Sequence, residues 1–289
     1  MAAVTESRRV PASCHPFFME TPTGRLFALH HQPAAGVTVR GHVLCALPFN
    51  EEMNRCRSMV TLQAQALAQI GIGTLVVDLQ GTGDSEGGHV DARWPVWLDN
   101  LAAGHAWLQA QPGGCVALWG IRLGAILAAE LHARLADPAL ALLLWQAVSE
   151  GKVHLNQFMR VKIAAQMDRT DLPKLTTATM RQEWETGRSV EIVGYEIHPA
   201  LASAIEAATL QAVTLAEGTP VFWLEQSTGN GNELSAPSRK LLQTWPGDGV
   251  ALTTAMFEGP PFWQAHERAV ASDAVARTTR WVGARGARA

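Results

Sequence analysis

The chain has 289 residues, 47% of them hydrophobic and 17% charged, which excludes a disordered or fibrous protein and leaves room for a sizeable core. Its 23 basic and 26 acidic residues give a formal net charge of −3, so bulk electrostatics make no case for a nucleic-acid partner. The four cysteines show no C-x-x-C spacing, and Cys45 and Cys115 lie in apolar runs, as expected of thiols in a reducing compartment. The first fifteen residues carry no signal-peptide core, and the longest apolar run, 139–145, is far short of a membrane span. A cytoplasmic protein without a transmembrane segment is expected. Arg277, Arg280, Arg285 and Arg288 are spread among small residues and read as a solvated helix end.

In chain order, 17–20 and 25–31 read as a hairpin around Pro22-Thr23-Gly24. A buried strand over 42–47 ends at Pro48, and 49–54 reads as a polar loop. Ser58 is the expected cap of a helix over 59–70, which Gly71 and Gly73 end before a strand over 74–79. A helix over 94–109 leads to the central stretch, 115–131. There an apolar run meets Gly120, Arg122 and Gly124 and then a helix-forming run, the pattern of a strand, a very tight turn and a helix packed back on the strand. Residues 139–148 form another buried strand. The strand rhythm stops over 151–215, where helical pieces (154–167, 176–186, 201–208) surround an extended patch at 190–195. A strand over 219–225, a helix over 237–245, a strand over 250–257 and a helix over 265–282 complete the chain. Alternating strands and helices predict a mostly parallel sheet with helices on both faces, forming one domain over 1–289 with a cap inserted at about 151–215. Ligands of such sheets sit beyond the carboxyl ends of the strands.

Four features at that end, in this order, resemble the α/β-hydrolase superfamily: the polar loop after the 42–47 strand, Asp78-x-x-Gly81-x-Gly83-x-Ser85, the elbow Gly120-Ile121-Arg122-Leu123-Gly124, and the insertion before the last two strands. Three stretches are most similar to the second hydrolase associated with bacterial exosortase A systems. They are Gly-Ile-Arg-Leu-Gly-Ala at the elbow, Val190-Glu191-Ile192-Val193-Gly194-Tyr195-Glu196, and Gly259-Pro260-Pro261-Phe262-Trp263. That resemblance implies a cell-envelope or exopolysaccharide context and a hydrolase or acyl-transfer activity.

The residues themselves do not supply the triad that this fold implies. The nucleophile position is Arg122, a permanently charged side chain with no nucleophilic lone pair. No carboxylate occurs between Gln226 and Asn232, and Gly259-Pro260-Pro261 stands where the resemblance implies Gly-x-His. Ser85 suits a loop-holding role, and His266 a helix surface. The ten histidines show no metal-binding spacing, so neither metal nor cofactor is expected.

Arg122 instead brings a full charge to a helix start, a place suited to a carboxylate, phosphate or sulfate. A buried arginine needs a partner, and Glu51, Glu52 and Glu150 lie on loops at the same end of the sheet. An unusual catalytic set would comprise Arg122, Glu51 and Glu150, with Phe49, Asn50, Glu52 and Trp263 contacting substrate and oxyanion donors following Pro48. For Trp145, Trp184 and Trp223 a core position is the plainer reading. Two functions stand: an enzyme acting on an acylated or glycolipid-related substrate, or a catalytically silent relative that binds an acyl or anionic small molecule or a partner protein. A homodimer is compatible with either.

Overall fold

The computed structural model describes residues 13–166, 175–227, 233–247 and 249–285. The last residue of the helical piece expected over 154–167 lies outside them, as do Arg288 and most of the gap between Gln226 and Asn232. The apolar runs that carried the expectation form the centre of one eight-stranded sheet. β3 (Gly41–Ala46), β4 (Ile72–Val77) and β6 (Ala141–Trp145) are buried at every position, and β5 (Cys115–Ile121) at all but one. Strands without a polar face require cover on both sides, which a parallel sheet between helices provides. With β1 (Cys14–Thr21), β2 (Gly24–His31), β9 (Pro220–Gln226) and β10 (Ala251–Phe257) the order is β1-β2-β4-β3-β5-β6-β9-β10. β2 alone runs against the others.

Each buried strand feeds two apolar layers. Leu142, Leu144 and Trp223 join the layer under α2 (Trp94–Gln109) and α3 (Gly124–Leu135). Leu143, Trp145 and Phe222 join the layer under α1 (Glu51–Ala68) and α8 (Ser272–Arg285). Two helix starts differ from expectation. α1 begins at Glu51, so the expected polar loop over 49–54 is mostly helix and Ser58 is interior. Asn50 makes the turn with φ at +51°, and Glu51 and Glu52 place negative charge in the first turn, where the helix dipole favours it. α8 starts at Ser272, not 265. Pro260 and Pro261 keep the preceding stretch irregular, and Asp273 fixes the helix start by accepting the Glu258 N–H at 3.0 Å.

Between β6 and β9 lie α4 (Gly151–Gln166), α5 (Thr177–Glu185), the hairpin β7 (Val190–Ile192) and β8 (Tyr195–Ile197), and α6 (Pro199–Ala207). The extended patch is thus a hairpin, turned by Val193 and Gly194 with both φ angles positive, as a two-residue turn of this hand demands. The ends of this segment meet. Glu150 bridges Thr209, the Gly151 N–H donates to Ala208 O and the Leu210 N–H to Ser149 O, both at 2.9 Å. Leu155, Met159, Leu201 and Ile205 from the segment are fully buried in the α2–α3 layer. α7 (Ala236–Leu242) precedes β10. Among the described residues no helix is long and apolar enough to cross a membrane.

Candidate functional site

The turn from β5 to α3 is as tight as its glycines imply. A Cβ on Gly120 would lie 2.4 Å from the Ala125 Cα, and one on Gly124 2.3 Å from Ala46 O and 2.4 Å from Leu47 O. Arg122, at the apex, has φ at +54°. Its N–H donates to Trp145 O at 3.0 Å, and its carbonyl accepts the Ala125 and Val148 N–H groups. A Cβ in this left-handed region costs about 1–2 kcal/mol. Arg122→Gly is therefore expected to be about 1 kcal/mol more stable than Arg122→Ala in urea unfolding, although both lose the same side-chain contacts.

Those contacts resolve the choice of partner. The Arg122 Nε–H donates to both Glu52 oxygens, at 3.1 and 3.2 Å, and Nη2 lies 3.1 Å from Glu52 Oε1. Nη1 donates to Gln146 O at 3.2 Å, and the guanidinium lies 5.5 Å from the centre of the Trp263 ring, which is itself buried. The two side chains of the ion pair remain 12% and 17% exposed, so solvent reaches it.

The other expected members go elsewhere. Glu51 accepts a hydrogen bond from the Tyr195 hydroxyl at 3.1 Å, and burial with this carboxylate pushes that hydroxyl's pKa up to about 12. Glu150 is exposed, contributes its backbone to the neck of the inserted segment, and forms no ion pair among the described residues. Trp145, Trp184 and Trp223 are core residues.

The sequence reading missed His154. It reaches down from α4, is buried, and brings Nε2 to 3.9 Å from Glu52 Oε2, while its Nδ1 has no partner among the described residues. Burial holds its pKa down at about 4, against the pull of Glu52, so the ring is neutral near pH 7. Aromatic rings close the site above Phe49: His154 at 6.2 Å, Phe158 at 5.3 Å and His89 at 6.1 Å. His89 also ties the hairpin to the α1 start, with Nε2 2.7 Å from Asn50 Oδ1 and Nδ1 3.0 Å from Glu196 O.

Beneath Phe49 an apolar cavity of about 20 Å³, room for about one water, is lined by Phe49, Asn50, Met53, Trp97, Leu123 and Gly124. Among the described residues the N–H groups of Phe49 and Leu123 find no acceptor. Larger cavities lie away from the elbow, about 440 Å³ beside Arg181 and Trp184 and about 230 Å³ beside Arg40 and Trp281.

Solved structures align along nearly the whole chain. Est1E from Butyrivibrio proteoclasticus matches 93% of this chain and 96% of its own, with a TM-score of 0.60 and 13% identity. A soluble variant of the monoglyceride lipase of Saccharomyces cerevisiae matches 97% of each chain, with a TM-score of 0.61 and 12% identity. XC6422 from Xanthomonas campestris, an α/β serine hydrolase without a lid, matches 98% and 97%, with a TM-score of 0.51 and 15% identity. The chain has the α/β-hydrolase fold. No protein-family model and no curated protein matches the sequence.

Glu225 is buried within β9, where its carboxylate accepts the Trp223 indole N–H at 3.3 Å and the Ser235 N–H at 3.4 Å. Gly259-Pro260-Pro261 forms an irregular turn, and His266 is exposed outside α8 rather than within it. Ser85 donates to Asp78 O and accepts the Phe27 N–H at 2.8 Å, so it holds its loop to β2. Burial raises the thiol pKa of Cys45, Cys56 and Cys115, the last to about 12, which makes them poor nucleophiles. Among the described residues no three His, Cys, Asp or Glu side chains converge as a metal-ligand set.

Proposed function

We propose that this α/β-hydrolase-fold protein is a catalytically silent relative of the hydrolases, binding a small acyl or anionic molecule at Arg122. The observation that carries this reading is the Glu52–Arg122 ion pair seated at the apex of the elbow, where the chemistry of the fold needs a nucleophile. An arginine there binds and orients; it cannot attack a carbonyl. The frame of the site is kept: the tight turn, the aromatic cover and two unpaired N–H groups beside the cavity. In the same reading residues 1–289 form one unit with a cap at about 151–215, and the exosortase-type stretches support a cytoplasmic role linked to envelope polysaccharide.

The unpaired N–H groups of Phe49 and Leu123 favour a second reading, an acyl-transfer enzyme with a catalytic set built around Glu52 and Arg122, because such donors suit an oxyanion. The two readings separate by experiment. A fluorophosphonate probe is expected to leave the protein unlabelled, and p-nitrophenyl butyrate to hydrolyse no faster than with heat-denatured protein. Arg122→Ser is expected to stay inactive in both assays, since the histidine that follows β10, His266, is exposed rather than held at the elbow to take the serine proton. Turnover abolished by Arg122→Ala and by Glu52→Gln would establish the enzyme instead.

A further inference from the structure

We propose that Glu52 is a built-in substitute for the ligand's own carboxylate: a small monocarboxylate takes its place on Arg122, and one proton enters as Glu52 leaves the pair. This rests on the binding reading above and names its ligand class. Three observations carry it. Glu52 lies along the side of the guanidinium, with both oxygens accepting from Nε and Oε1 also 3.1 Å from Nη2, a place on the cation that a free carboxylate can take. The rest of the cation is held by neutral groups, Gln146 O and the Trp263 ring, so Arg122 stays positioned when Glu52 departs. The pair is reached from solvent, so exchange does not require the core to open.

The proton follows from charge. With Glu52 on Arg122 the site is neutral. An incoming anion that displaces Glu52 leaves one uncompensated carboxylate in a part-buried place, an unfavourable state unless a proton is taken up. His154, with a ring nitrogen 3.9 Å from Glu52 and the other nitrogen unpartnered, is the group beside Glu52 that can share that proton. The other titratable groups facing the pair do not substitute for it. Cys56 on α1 is an unionised thiol, Arg55 on α1 is a cation already, and Glu51 is turned to Tyr195.

Isothermal titration of the intact protein with butyrate, in buffers of different ionisation enthalpy, tests the exchange. Net proton uptake on butyrate binding is expected, with affinity falling as pH rises. Glu52→Gln is expected to bind butyrate more than tenfold more tightly at pH 7.5, without proton uptake and with little dependence on pH. Butyramide, which has the same chain without the charge, is expected not to bind. Butyrate binding without proton uptake, or no binding of butyrate to wild type at pH 6, would overturn the exchange. Both wild-type results stand even if Glu52→Gln fails to fold. Failure of the underlying binding reading shows differently, as fluorophosphonate labelling or Arg122-dependent ester turnover.

Discussion

Acidification from pH 7 to pH 4 is expected to remove about 6 kcal/mol of folding stability, a large part of the 5–15 kcal/mol typical of a folded domain. The groups responsible are histidines buried as neutral rings. Burial, with the neighbouring histidines, lowers the pKa of His30 to about 4, and burial lowers that of His154 to about 4; His31, His42 and His132 are lowered by burial as well. His30 Nε2 lies 3.3 Å from His42 Nδ1, so protonating both would set two cations in contact. The sign follows from linkage. Because the folded pKa values lie below the unfolded one, the stabilisation is fully present above about pH 6.5 and is lost as pH falls toward 4. Each of the two strongest cases contributes about 1.4 kcal/mol per pH unit over that interval. Glu130 works the other way, since burial raises its carboxyl pKa. Urea midpoints at pH 7, 6 and 5 check this, and His30→Phe is expected to flatten the dependence. A midpoint unchanged between pH 7 and 5 would remove the basis of the prediction.

Trp145→Ala is expected to cost about 3–5 kcal/mol and to lower the melting temperature by about 10 °C. Trp145 is completely buried, packs edge-on against Trp119 at 4.7 Å, and donates its indole N–H to Thr278 at 2.9 Å. Truncation leaves a cavity in the α1–α8 layer and a buried hydroxyl without its donor. The effect reaches the elbow through a chain of rings: Trp145 touches Phe262 at 5.9 Å, Phe262 touches Trp263 at 5.1 Å, and Trp263 supports Arg122. Trp145→Phe keeps most of the volume and is expected to lose less than half as much by calorimetry.

The parts of this molecule legible from sequence are those set by short-range rules. Apolar runs gave the central strands because a strand covered on both faces has no polar side to confuse it. Gly120 and Gly124 gave the elbow because only a missing Cβ permits that approach. The start of α1 was not legible. Its first turn is polar, as a loop would be, and what begins it is the backbone of Asn50. Arg122 declared its need for a carboxylate, but three glutamates shared that end of the sheet, and only packing singles out Glu52. His154 gave no signal at all. It stands as an ordinary residue of an amphipathic helix, and it meets Glu52 only because the inserted segment folds back over the strand ends.

Because residues 149–151 bond directly to 208–210, the inserted segment enters and leaves the sheet layer at a single point. Loop closure depends weakly on length, with each doubling adding only about 0.6 kcal/mol, so descendants of this sequence can lengthen, shorten or refold the segment without disturbing strand order. Leu155, Met159, Leu201 and Ile205 set the limit, since excision would expose the apolar layer they complete. The segment is therefore free to vary but not to be lost. It also carries His154, so each variation retunes the environment of the Glu52–Arg122 ion pair from a part of the chain that the sheet does not constrain.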